Sequence, residues 1–250
     1  MDLNSYLAVL ASEANVLAAA ADEAGLVALV PTCPGWTVND LVLHMGEVHR
    51  WATAVLTSRA TKLGDVPGDS LGALPELAGT TDWLRRGAAR LCEALATADP
   101  SVEYAAFLAD PISPRVLFWA RRQTMETSVH RVDAESALGR CTVLAPDIAL
   151  DGIDEFLTGF LPRARTPLHA ETGLSLLIAP DFSDRRWTVA ISDDLPVTVR
   201  RACEADCIVS GPASDIYLAL WNRVSLDAVK IEGDAGIIDR LRTHVQIRWS

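Results

Sequence analysis

The sequence predicts a two-domain α+β chain, with a helical bundle over residues 1–145 and a smaller α+β domain, carrying a mixed or antiparallel sheet, over 146–250. Three observations carry this expectation. At 250 residues the chain is longer than one ordinary domain. Up to Gly139 its apolar residues recur every three or four positions, as on one face of a helix. Beyond Gly139 they fall into short alternating or continuous runs bounded by turn residues. The boundary is expected between Arg140 and Asp151, where a proline and the change of period coincide.

Leu3, Tyr6, Leu7, Leu10, Ala14, Leu17 and Ala21 place a first helix over 3–24, closed by Gly25. Pro34-Gly35-Trp36 turns the chain. Thr37 then caps a second helix, 38–58, with Asp40 three residues on as the acid of a capping box. The Gly-, Pro- and Asp-rich stretch from Lys62 to about Thr80 reads as a long loop, and Leu84, Ala88, Leu91 and Leu95 mark a third helix. Ser113-Pro114 opens a fourth, whose period runs through Phe118, Met125, Val129 and Val132. Strands are expected at Leu174–Ile178, Trp187–Ile191, Val197–Arg201, Cys207–Val209 and Ala228–Ile231, with Asp193-Asp194 in a hairpin turn. Asp215, Leu218, Ala219 and Trp221 belong to one further helical pattern, and Ile237, Ile238, Leu241 and Val245 to the last.

Composition narrows the function classes. Half the residues are hydrophobic, which excludes disorder. The 33 acidic and 22 basic side chains give a net charge of −11, and no basic run exceeds two residues, so a nucleic-acid partner is not expected. Of the basic residues only Lys62 and Lys230 are lysine, a bias that reads as a GC-rich genome. The N-terminus lacks a basic region ahead of an apolar core, and no apolar run approaches the roughly 18 residues of a membrane span. A cytoplasmic protein, monomer or homodimer, without a membrane partner is expected. Its five cysteines are scattered with no C-x-x-C pair, as for reduced thiols.

Five histidines leave little room for chemistry, and two of them stand out. In the second helix His44 lies on the apolar stripe of Leu41, Met45, Val48, Ala52 and Val55. His49 is turned away from it by about 140° at 3.6 residues per turn. In the fourth helix Glu126 and His130 are four apart and share a face, which Asp133 continues. Two imidazoles and one carboxylate form the ligand set of a catalytic zinc site with an open position, and bundle interiors are where such sites are built. Spacing alone leaves a second reading open, a solvated Glu–His pair and a hydrogen-bonded core histidine.

The segment Pro31-Thr32-Cys33-Pro34-Gly35-Trp36-Thr37-Val38-Asn39-Asp40-Leu41-Val42-Leu43-His44, followed by Arg121-Arg122 and Glu126-Thr127-Ser128-Val129-His130-Arg131-Val132-Asp133, resembles the mycothiol-dependent maleylpyruvate isomerase family, a branch of the DinB-like metal-binding bundles. Val209 to Asp215, Leu220-Trp221-Asn222-Arg223 and Glu232-Gly233-Asp234 resemble its second domain. The resemblance implies a DinB-like four-helix bundle with His44, Glu126 and His130 as ligands of zinc or another divalent metal. It matches Arg223 to an arginine used for catalysis or thiol binding, with an ordinary solvated arginine at a helix end as the alternative reading. It also implies mycothiol as the thiol cosubstrate and a small electrophile as substrate. A metal-bound thiolate would then serve as nucleophile in an isomerase or S-transferase. A catalytically silent metal-binding or regulatory bundle is the alternative. Many relatives carry a histidine just before the glutamate, where this chain has Met125. Cys33 stands in the turn before the ligand-bearing helix, within reach of the metal, but is read as a buried structural thiol; Cys203 and Cys207 are read as packing residues, and Trp36 and Trp51 as lining the bundle's mouth or core.

Overall fold

The structure is a computed structural model and describes residues 1–109, 111–163, 168–170 and 172–245. The chain divides into two compact units, Met1–Phe107 with Pro111–Thr142, and Leu108–Asp110 with Val143–Ser250. Residues 246–250, which the sequence reading includes in the second domain, lie outside the described residues. Among the described residues no helix is long and apolar enough to cross a membrane.

The first unit is a ring of four helices: α1 (Leu3–Ala24), α2 (Val38–Thr57), α3 (Thr80–Thr97) and α4 (Arg115–Ser136). α1 packs on α3 and α4, and α2 packs on the same two. Leu17, Leu41, Met45 and Leu84 meet in the centre with no exposed surface. Each such side chain contributes about 1.5–3 kcal/mol. The capping box at α2 forms as read: Asp40 N–H donates to Thr37 Oγ1, and Thr37 N–H donates to Asp40 Oδ2. The stretch after α2 is a loop with two short 3-10 turns, Leu63–Asp65 and Leu77–Gly79.

α4 departs from a one-sided helix. Nearly every residue from Val116 to Ala134 is buried, polar and charged ones included. Polar bonds stand in where an apolar stripe is lacking. Arg131 reaches Glu13 of α1 at 2.7 Å and Glu135 at 2.8 Å, and Thr124 Oγ1 donates to the carbonyl of Tyr6 at 3.2 Å. Trp51, Phe107 and Trp119 form an aromatic cluster with ring centres 5.3 to 6.0 Å apart.

The second unit is built on a mixed five-stranded sheet in the order β3-β2-β1-β4-β5, namely β1 (Leu174–Pro180), β2 (Trp187–Ile191), β3 (Val197–Val199), β4 (Cys207–Gly211) and β5 (Lys230–Gly233). β1 and β4 run parallel and every other pair is antiparallel. Asp193 and Asp194 lie in the β2–β3 hairpin. Val189, Leu176 and Cys207 stand in register across three strands, and so do Trp187, Ile178 and Val209; all six are buried. Cys207 is thus a core residue, and Cys203 and Cys207 are free thiols.

Among the described residues the unit also has three α-helices, α5 (Pro146–Glu155), α6 (Ala213–Leu220) and α7 (Ala235–His244). α5 and the π-helical turn Phe156–Phe160 that continues it were not anticipated. Pro146 marks a helix start, where its missing N–H costs nothing. The interior Gly152 is there because a Cβ would sit 2.4 Å from the Tyr217 ring. β3 is shorter than expected, ending at Val199, and the Arg200 side chain beyond it donates to the Asp154 carboxylate. Ala228 belongs to a 3-10 turn, so β5 begins two residues later.

Gly233 pairs with Cys207 at φ +82°, and a Cβ there would lie 2.1 Å from the Asp206 carbonyl oxygen. Gly233→Ala should lower stability by about 1–3 kcal/mol through backbone strain and overpacking. Urea denaturation measures it, and an unchanged midpoint would contradict the β4–β5 pairing.

Candidate metal centre

The site is assembled from a short loop and two helices of the first unit. Between α1 and α2 the chain folds back on itself, with Cys33 N–H donating to Val30, Trp36 N–H to Cys33, and Val30 N–H to Trp36. Gly35 takes φ +88° at the tip. This loop carries Thr32, Cys33 and Trp36. α2 brings His44, and α4 brings Arg122, Glu126, His130 and Asp133.

His44 Nε2 lies 3.6 Å from Glu126 Oε1, and His130 Nε2 lies 3.4 Å from the same oxygen. One donor atom from each of His44, Glu126 and His130 therefore falls within 4.8 Å of the others. The other carboxylate oxygen, Oε2, accepts from Arg122 Nη2 at 2.7 Å. Glu126 thus offers one oxygen to the histidines and has the other held by a buried guanidinium. His44 Nε2 is buried without a hydrogen bond.

His130 is oriented from behind. Its Nδ1 lies 2.8 Å from Asp133 Oδ2, and since a carboxylate only accepts, Nδ1–H donates and Nε2 faces Glu126. Asp133 is fully buried and accepts a second bond, from Thr32 Oγ1 at 2.6 Å. Trp36 packs over both imidazoles, edge-on to His44 at 5.2 Å and stacked on His130 at 6.3 Å between ring centres.

The two ligand-type groups at the centre shift in opposite directions. Burial pushes the Glu126 carboxyl up, but Arg122, His130 and His44 outweigh it and hold the group well below the usual carboxylate range. Burial pushes His130 down, yet Asp133, Cys33 and Glu126 prevail and raise it well above an ordinary histidine.

The structure brings the three expected ligands together. Arg223 belongs to the second unit, just after α6, where it is half-buried and its Nη1 donates to the Trp221 carbonyl at 2.8 Å. Two readings need correction. Cys33 is half-buried rather than a buried structural thiol, and hydrogen-bonds His130, with which and Asp133 it forms a second close cluster. His49 is not turned out: it has no exposed surface, because α2 is covered on two sides, by α3 and α4, and its buried arc is wider than one stripe. Its Nε2 lies 3.0 Å from Thr127 Oγ1, whose own proton goes to the Gln123 carbonyl, so His49 donates.

Two supporting residues went unread. Arg122 stands four before Glu126, the i,i+4 spacing of a helical ion pair, and that signal was available. Thr32 lies 101 positions from Asp133, and nothing local pairs them. Met125 has no exposed surface and packs in the core beside Glu126.

The family model of the mycothiol maleylpyruvate isomerase N-terminal domain matches residues 7–135, and that of the C-terminal domain of the same family matches 147–240. Among solved structures, the chain is similar to a mycothiol-dependent maleylpyruvate isomerase and to a histidine-to-alanine mutant of that enzyme. Each is 14% identical with a TM-score of 0.63, over 94% of this chain and 95% of that one. At this identity the likeness shows the fold. No curated protein matches the chain.

Burial, and then Arg50, lower His49 from the usual 6.5 to about 3. The unfolded chain therefore binds a proton between these values that the folded chain refuses, and stability present above pH 6.5 is lost as pH falls through this window. At about 1.4 kcal/mol per unit the loss should reach roughly 2 kcal/mol by pH 5. Chemical denaturation at pH 7.5 and 5 should show His49→Gln losing less over that interval than the unsubstituted chain. Equal losses would show that His49 is not held neutral.

Proposed function

The chain belongs to the mycothiol maleylpyruvate isomerase family, and we propose from that premise that it is a mycothiol-using isomerase or S-transferase for a small electrophile, dependent on a divalent metal, most simply zinc, held by His44, Glu126 and His130. The observation that carries this reading is the convergence of two imidazole nitrogens and one carboxylate oxygen on a buried point.

The residues fit the group. Two nitrogens and one oxygen suit zinc with a position left for a further ligand. A buried Nε2 without a partner on His44 is an atom that a cation would satisfy. A bound divalent cation supplies Lewis acidity that keeps a coordinated thiol deprotonated at neutral pH. The chain's own work is to hold the donors and shape the space. Asp133 fixes the His130 tautomer so that Nε2 presents its lone pair, and Thr32 fixes Asp133. Arg122 engages one oxygen of Glu126 and leaves the other facing the histidines. Trp36 covers both imidazoles and limits the access of water. Arg223 enters as the expected contact to the anionic or polar parts of the thiol, and a cytoplasmic setting is part of the same reading.

Protein loaded with zinc should bind mycothiol and, with it, change the ultraviolet absorption of maleylpyruvate or a comparable electrophile. Failure of both would end the enzyme reading. Elemental analysis should find about one zinc per chain in the unsubstituted protein and in His49→Gln, and almost none in His44→Ala. Asp133→Asn should weaken zinc binding by about 10- to 100-fold through His130. Equal zinc in His44→Ala would remove the metal centre.

A further inference from the structure

Away from the proposed metal donors, α2, α3 and the loop before α3 line a solvent-open cavity of about 490 Å³, within the range of small-molecule sites. None of His44, Glu126 or His130 lines it. Among the described residues its walls carry Arg50, Arg86 and Arg90 against a single carboxylate, Asp69, in a chain whose net charge is −11.

Arg50 is built into place. Its guanidinium carbon lies 3.5 Å from the centre of the Trp83 ring, and its two terminal nitrogens donate to the carbonyls of Gly46 and Trp83, each at 2.9 Å. Two glycines make room for this stack. A Cβ on Gly46 would lie 2.0 Å from the Trp83 ring, and one on Gly87 would lie 2.6 Å from Arg50 Nη1. Arg86 and Arg90 are one turn apart on α3, where like charges repel. Among the described residues none of the three meets a carboxylate within ion-pair distance, whereas neighbouring Arg85 pairs with both Asp22 and Asp82. Burial, then Arg90 and Arg86, lower Arg50 to about 10.

The same walls offer acceptors. The hydroxyl protons of Thr53, Thr57 and Ser58 are committed to the carbonyls of His49, Thr53 and Ala54, so their oxygens are left to accept. We propose that this cavity is a second ligand site, for a hydroxylated organic oxyanion whose carboxylate or phosphate sits among Arg50, Arg86 and Arg90. Guanidinium groups match either oxyanion, and the hydroxyl oxygens match the rest of such a ligand. The proposal is independent of the metal centre.

Calorimetric titration with glucose 6-phosphate, gluconate and glucose tests it, with the change in tryptophan emission as a second readout. At least one of the two anions should bind one to one with a Kd of about 1 mM or tighter, and glucose should not. Which anion binds distinguishes phosphate from carboxylate. Arg86→Gln with Arg90→Gln, both exposed and expected to fold normally, should weaken binding by about tenfold or more, while His44→Ala should leave it unchanged. Absence of binding by both anions, equal binding of glucose, or unaltered affinity in the double variant would each overturn the proposal. Loss of binding in His44→Ala alone would assign the ligand to the metal centre instead.

Discussion

The first unit depends on one buried carboxylate. Glu126 sits inside a helical ring with almost no exposed surface, and an ionised acid in such a place costs several kcal/mol unless its oxygens are matched. Arg122 matches one oxygen from the same helix, and two histidines face the other. The consequences spread outward. His130 needs Asp133 behind it, Asp133 needs Thr32, and Thr32 ties the loop ahead of α2 to the C-terminal turns of α4. The loop that positions Cys33 and Trp36 is thereby held by the same chain of charges.

This explains why α4 is so polar. A helix buried on nearly every side would ordinarily be apolar all round. α4 instead buries three arginines, a glutamate, a histidine and an aspartate within one stretch of 13 residues, Arg121 to Asp133, each matched by a neighbour. Such a network is costly when any member is missing, because the remaining charge is left unpaired. The second unit repeats the device on a smaller scale: buried Asp154 accepts from the Trp187 indole and from Arg200, joining α5 to the sheet.

His49 and His44 show how burial divides two similar side chains. Five residues apart on α2, both are enclosed, but His49 donates to a hydroxyl and is held neutral, while the nitrogen of His44 faces a carboxylate and keeps no hydrogen bond of its own. Chemistry follows the partner rather than the depth. Arg50 and Arg85 differ in the same way, one stacked on an indole in a cavity wall and the other satisfied by two aspartates.

Much of the fold was legible in order of residues. Helices α1 to α4 were written in their apolar periods and caps, the Thr37–Asp40 capping box among them, and the strands in their short apolar runs. Local signals of this kind act over a few residues, so a sequence carries them whole. The spacing of Glu126, His130 and Asp133 was equally local, since four residues make about one helical turn. What the order of residues could not decide was set by contacts between distant segments. Helix α5 was lost because its brief period holds a glycine whose reason is the Tyr217 ring. His49 looked exposed because one helix read alone shows a stripe, whereas two neighbours bury an arc. Thr32 against Asp133, Cys33 against His130, and Arg50 on Trp83 join residues 33 to 101 positions apart. The sequence by itself determined most of the elements, α5 apart, and the ligand-type side chains they carry. Only the tertiary structure decided which of those side chains face one another, because burial and charge pairing are properties of the packed chain.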